Sequence, residues 1–388
     1  MKQVNRRNFL RIAGAGAAAA AVAPVIKAAA PAEPALQQTE KPKTNVDDSF
    51  KVPRSAASMP GLFPGRVVSV VNSKAVADNV IDEQIVYDML AKSMLALTGE
   101  KKLKKAWLKF VSKKDRIGLK VNPVAGKSLS TSLEITKAIV RQLEESGIKR
   151  SQLTIWDRRN FDLKEAGFTA ENFPGIKIAG TEHVDEKGLY YDADGVLYGE
   201  KRIDKNWIYW ADIEGEYDSY TIPYMINGGK DSYFSRIVTE DLDKIINIPI
   251  LKNAGNTVTL ALKNLAYGAI SNTGRLHKIW HESCAEVNAF APLRDKVVLN
   301  IVDGIKGCFN GGPGANPQFF FNFNTVIAGS DPVAVDRIGY EIVLNKRIAE
   351  GIQKEGTATG LNFMLMAEKL QLGVADIQKI KHEQITLG

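Results

Sequence analysis

The sequence predicts an α/β protein built on a mainly parallel or mixed sheet flanked by helices, and three observations carry that expectation. Ile117–Val121, Leu133–Leu143 and Leu153–Trp156 read as strand, crossover helix and strand, the order that feeds a parallel sheet. Ile245–Leu251 is a short apolar run that ends in a polar turn and continues as an apolar segment of helical length. Val297–Val302 and Thr325–Ala328 add two β-rich runs before a helix reaching Leu344, which Asp331 caps and Pro332 opens.

Ahead of these elements stands a leader that supplies most of the net charge. The formal charge is +7, yet residues 1–32 carry Lys2, Arg6, Arg7, Arg11 and Lys27 and no acid. Without these five of the 51 basic residues, 46 face 44 acidic ones, so the basic balance does not imply nucleic acid. Asn5-Arg6-Arg7-Asn8-Phe9-Leu10-Arg11 precedes an Ala/Gly-rich apolar segment, Ile12–Ile26, that is too short and too weakly apolar for a comfortable membrane span. It resembles a twin-arginine export signal. The twin-arginine translocation machinery is therefore the expected partner, the periplasm the expected location, and no stable membrane span is expected after cleavage. Small residues at Ala30 and Ala32 place the cut before Glu33.

Residues 33–64 are rich in Ala, Pro, Gln and Lys without an apolar period and read as a flexible linker, leaving 65–388 as a single α/β domain. Its first strand is expected at Arg66–Val71. A helix follows over Asp82–Leu97, with Ile85, Val86, Met89, Leu90, Met94 and Leu97 at helical spacing and Gly99 as its stop. The lysine run over 101–114 reads as a solvated face with Trp107 turned inward. The loop Asn122–Thr131 leaves the carboxyl end of its strand, where open α/β sheets place ligands. Thr181–Ser235 holds eight of the eleven tyrosines, and Asp194-Gly195 between Tyr190-Tyr191 and Val196-Leu197-Tyr198 signals a hairpin; this predicts a β-rich aromatic insertion around 181–235 covering one edge of the sheet. Asn362–Leu372 reads as a last amphipathic helix.

The polar residues with chemical potential gather around the run at 245. A strand over Ile245–Leu251 would deliver Lys252 and Asn253 at its carboxyl end, and Gly255-Asn256 would lead to a helix N-terminus whose free N–H groups favour an anion. Lys263 and Asn264 fall inside that helix, which is apolar around most of its circumference, so the ammonium needs a carboxylate, a ligand or an escape to the surface. His277 and His281 stand four apart and could share a helix face; with a carboxylate such as Asp336 they could hold a divalent metal. Asp303 lies at a strand end as a ligand-facing acid or as a turn cap. Cys284 and Cys308 are too few for an iron-sulfur cluster within the chain, and either a disulfide or two buried thiols fits them.

Several short motifs together resemble a known family. Ala106-Trp107, DRIGLKVN over 115–122, Trp156-Asp157-Arg158, IPILK, LALKNL, Arg275-Leu276-His277, IVDG, Gly311-Gly312-Pro313 and AGSDPVAVD are similar to the exported branch of the domain-of-unknown-function family 362, from about residue 65 onward. The resemblance implies weight on Lys120, Asn122, Asp157, Lys252, Lys263, Asn264, His277, Asp303 and Asp331. Relatives often carry a histidine just after the strand-end lysine, where this chain has Asn253-Ala254, and it lacks the ferredoxin-type segments of some.

These readings converge on an exported enzyme acting on a small anionic substrate, with possible metal assistance. Lys120, Asn122, Lys252, Asn253 and Asn264 would bind the anion, Lys263, Asp303 and Asp157 would be catalytic, and His277 with Asp336 would hold the metal. The alternatives are a non-catalytic periplasmic ligand-binding protein and an interaction module.

Overall fold

The structure, a computed structural model, describes residues 41–181, 202–214 and 229–388. The leader and the hairpin expected at Tyr190–Tyr198 lie outside the described residues. Fifteen strands are assigned among the described ones: β1 (Arg66–Val71), β2 (Val76–Ala77), β3 (Val80–Ile81), β4 (Ile117–Lys120), β5 (Leu153–Asp157), β6 (Lys177–Gly180), β7 (Ile203–Trp210), β8 (Asp231–Ser235), β9 (Lys244–Asn247), β10 (Ile250–Ala254), β11 (Thr257–Val258), β12 (Val297–Cys308), β13 (Phe320–Phe321), β14 (Thr325–Gly329) and β15 (Lys381–Thr386). The principal sheet runs β15-β1-β14-β12-β9-β4-β5-β6. Only β14 opposes the others along this path, so the sheet is mixed and mostly parallel.

Helices cover both faces. α1 (Glu83–Thr98), α2 (Leu103–Trp107) and α3 (Leu133–Glu145) lie on one side, and α5 (Ala261–Ala269), α6 (Trp280–Ala289), α8 (Pro332–Ala349) and α9 (Ala358–Lys369) on the other; α4 (Asn160–Glu165) follows β5 and the single turn α7 (Ala291–Arg294) precedes β12. The alternation of side chains along a strand divides the core accordingly. Ile246, Leu119 and Ile155 join the α1–α3 layer, whereas Ile245 and Trp156 join the α5–α9 layer. Lys120 and Asn247, one residue on from Leu119 and Ile246, therefore face the second layer.

Local chemistry accounts for the helix ends. Asp82 caps α1 by accepting from the Ile85 amide, and Gly99 ends it at φ 70°, the left-handed conformation that costs glycine least. Asp331 does more than cap α8. It accepts from Ala334 N, and its other oxygen accepts from Gly65 N and Val374 N, so one carboxylate ties three segments. Trp107 is fully buried and donates to Gln142 Oε1 on α3.

Four expectations need correction. Residues 42–64 do not form a free linker: Asn45 bonds to Trp210 and Ile208, and the buried Arg294 guanidinium donates to the carbonyls of Ser49, Val52 and Pro53. The run at 245 is two strands, because Pro249 cannot donate to a ladder and the chain shifts between neighbours there. After β10 the chain turns at Gly255 (φ 60°) into β11, so α5 begins only at Ala261. β12 runs past Asp303-Gly304 to Cys308; a Cβ on Gly307 would meet Leu251 O at 2.2 Å, which is why the close approach of β10 requires glycine there. The described part of the aromatic insertion pairs β7 with β8 antiparallel and packs Tyr209 and Phe234 against Phe290 in the α5–α9 layer.

Candidate functional site

Parallel pairing brings the carboxyl ends of β4, β5 and β9 together. In register, Lys120 lies opposite both Trp156 and Asn247, and Asn247 lies opposite Asn300 of β12. Helix α5 crosses over this row, and its Asn264 closes the cluster.

Lys120 is fully buried and forms an ion pair with Asp157 Oδ1; it also donates to Asn264 Oδ1 at 2.9 Å and to the Val121 carbonyl at 2.8 Å. Three acceptors match the three donors of an ammonium. Burial nonetheless holds its pKa below the ordinary lysine value, with Asp157 opposing the shift. Above this pair passes the backbone of Gly268, where an added Cβ would lie 2.1 Å from Lys120 Cε.

From Lys252 a chain of side-chain amides runs through the core. Lys252 Nζ donates to Asn122 Oδ1 at 3.1 Å, Asn122 Nδ2 to Asn264 Oδ1 at 3.2 Å, Asn264 Nδ2 to Asn247 Oδ1 at 2.8 Å, and Asn247 Nδ2 to Asn300 Oδ1 at 2.9 Å. Asn300 ends the chain on the carbonyl of Ser330 at 3.2 Å. Thr131 fixes the loop that carries Asn122 by accepting from its amide and donating to Ile248 O.

Lys252 differs from Lys120 in one respect. It is 2% exposed, and among the described residues no carboxylate lies within ion-pairing distance of it. Its pKa is pushed down to about 8, first by burial and then by the charge of Lys263. The half-buried Lys263 extends over the rings of Tyr267 (5.4 Å) and Trp280 (5.5 Å), and burial lowers its pKa as well. His277 packs edge-on against the same Tyr267, 5.0 Å between centroids, with one side toward solvent. Loss of water and the Lys263 charge hold it below the usual imidazole value. Among the described residues the cluster thus contains three lysines against the single carboxylate of Asp157, whose buried Oδ2 has no hydrogen-bond partner there.

Of the residues expected from the sequence, Lys120, Asn122, Asp157, Lys252 and Asn264 are in contact, and the charge of Lys263 acts on both Lys252 and His277. Three expectations are revised. Asn253, next along the strand from Lys252, points the other way: its amide donates to Gly255 O and Thr257 O and its oxygen accepts from Gly312 N, holding a turn and a loop rather than a substrate. Asp303 is buried, with one oxygen accepting from Ser132 N at 2.7 Å and the other from Ile305 N at 3.1 Å, and so links β12 to the start of α3. Burial raises its pKa against those donors.

The expected metal pair also separates. Asp336 accepts from Ala261 N at 2.5 Å and Leu262 N at 3.1 Å, placing a carboxylate on the α5 N-terminus that had been assigned to an external anion. Desolvation pushes its pKa up to about 7. His277 sits in a short 3-10 turn with Nδ1 on Gly274 O, and His281 stacks on Trp280 at the start of α6, so they share no regular helix face. Among the described residues no group of three or more His, Cys, Asp or Glu gathers that could hold a metal ion. Cys284 and Cys308 are separate buried thiols, Cys284 pushed up to about 12 by burial.

Sequence reasoning missed Asn247, Asn300, Tyr267 and Gly268. The two asparagines were detectable: each interrupts an otherwise apolar strand, IINI and VVLNIV, where an amide needs a buried partner.

The model for the domain of unknown function DUF362 matches residues 208–341, and the twin-arginine translocation signal sequence matches residues 3–23. The first match includes Lys252, Asn264, Lys263 and His277; Lys120, Asn122 and Asp157 precede it. No curated protein matches. A crystal structure of a Thermotoga maritima protein from a structural genomics consortium is similar at 12% identity and a TM-score of 0.37, covering 68% of this chain and 59% of that one. The chain therefore spans less than two thirds of that protein's length. The motifs around Lys252, Lys263 and His277 thus lie within a stretch, residues 208–341, that matches the DUF362 family, behind a twin-arginine signal for export across the cytoplasmic membrane.

Proposed function

We propose that this exported protein works in the periplasm by taking up a small anion between Lys252 and Lys263, and that Lys252 and Asp157 supply the acid-base chemistry of an enzyme. One observation carries the reading: among the described residues Lys252 is an almost fully buried ammonium with a single hydrogen bond, to a neutral amide. A buried cation without a counterion is costly, and a ligand carboxylate or phosphate would supply what the fold withholds. The polar network holds Lys252 in place, and the half-buried Lys263 beside exposed His277 marks the side from which an anion would approach. Metal assistance at His277 and Asp336 has no part in this reading.

Calorimetric titration of the mature protein with phosphate, sulfate, acetate and malonate tests it. At least one anion should bind, less tightly above pH 8 where Lys252 loses its proton, and Lys252→Met should abolish binding. No heat and no thermal shift from any of the four would overturn the proposal. Turnover, rather than binding, separates the enzyme from a capture protein.

A further inference from the structure

The surroundings of Lys252 suit a second task beyond holding a charge. Its stem is enclosed, its Nζ is held among the described residues by Asn122 Oδ1 alone, and the carboxylate that could have fixed it as a permanent ammonium, Asp157, is occupied on one oxygen by Lys120. Lys120 and Lys252 are therefore not equivalent. Lys120 has its three acceptors and is structural, whereas Lys252 keeps hydrogen-bonding capacity unused at a place where Lys263 adds a second positive charge.

We propose that Lys252 is a Schiff-base nucleophile for a small 2-oxo carboxylic acid, with Lys263 binding the carboxylate and water receiving the proton that Lys252 must lose. This rests on the anion-binding reading and specifies its substrate class. A lysine becomes a nucleophile when it is desolvated or set beside another cation, and both conditions hold here. A 2-oxo acid is the ligand that uses all the parts: a carboxylate for Lys263 and an adjacent carbonyl carbon for Lys252.

The step balances without a redox partner. Lys252 gives one proton to water, and its nitrogen lone pair forms a C–N bond as the carbonyl π pair moves to oxygen. A proton passes from nitrogen to that oxygen, giving a neutral carbinolamine. The hydronium ion so formed returns the proton to the hydroxyl, which leaves as water while the nitrogen lone pair forms the C=N bond. Ammonium and ketone have become a protonated imine and water. The imine then serves as the electron sink for bond cleavage or proton removal at the neighbouring carbon.

The test is reductive trapping on the mature protein with pyruvate and sodium cyanoborohydride, read by intact mass and peptide mapping. One adduct is expected, on Lys252, ahead of the exposed Lys101, Lys102 and Lys104. Lys263→Met should cut labelling by pyruvate about tenfold more than labelling by neutral acetone, the value of one charge-assisted contact. Because the labelled site is mapped in the unaltered protein, the result does not depend on Lys252→Arg folding. Labelling spread over surface lysines, or absent, would overturn the proposal. If pyruvate still gives calorimetric heat under those conditions, the anion site stands and only the covalent step falls.

Discussion

Two lysines within one hydrogen-bonded cluster illustrate how neighbours set a side chain's role. Lys120 is fixed by a carboxylate, an amide and a carbonyl, whereas Lys252 has one amide and the repulsion of Lys263. The difference has a sign in stability. A lysine whose folded pKa is lowered from 10.5 to about 8 leaves the unfolded chain binding more protons between those values, so this group makes stability rise with pH there. Below pH 8 the full penalty applies, on the order of 3 kcal/mol. Lys252→Met should therefore raise the urea midpoint at pH 7 and flatten the rise between pH 8 and pH 10; a destabilised variant with the slope intact would contradict this account. At this scale the sequence was informative about which residues matter and less about how they are used. Lys120, Asn122, Asp157, Lys252 and Asn264 were legible because polar groups in apolar elements demand partners. The roles of Asn253 and Asp303 were not, because they depend on Gly312, on Ser132 and on other partners supplied by tertiary contacts.

Among the elements, α5 is the one on which the cluster depends. Its N-terminus is neutralised by Asp336, distant in sequence, and its C-terminal half lies against β4 where Gly268 passes the Lys120–Asp157 pair. A glycine-to-alanine change inside a helix ordinarily gains about 1 kcal/mol from propensity. Here the new methyl would occupy the space of Lys120 Cε, and overpacking with loss of a buried pair costs roughly 3–5 kcal/mol. Gly268→Ala should thus lower stability by about 3 kcal/mol net and weaken anion binding, as read by urea denaturation and calorimetry. Strand–helix–strand periodicity made the first crossover unit readable, and Gly99 was legible as the end of the helix before it. The start of α5 was misread because the two-residue β11 has no periodicity to detect, and because its capping carboxylate comes from another helix.

At the scale of the whole molecule, the sheet separates two cores and gathers the carboxyl ends of β4, β5 and β9 on one side. Residues 42–64 are bound to that body through Asn45 and Arg294. Composition alone suggested a linker there, since Pro- and Ala-rich segments look alike whether or not an arginine elsewhere collects their carbonyls. The leader makes a separate prediction. Replacing both Arg6 and Arg7 with lysine should leave the protein in the cytoplasm at its uncleaved length, as cell fractionation and gel mobility would reveal; an exported double variant would refute twin-arginine routing.

Every amide from Asn122 to Asn300 turns its oxygen toward the lysines and its NH2 group away. Four dipoles in series behave as a small battery whose negative pole rests on the cations. Unlike a carboxylate, such a pole has no proton to gain or lose at any pH a cell encounters. The fold can steady Lys252 in this way without neutralising it, and acidification of the surroundings would leave that support unchanged.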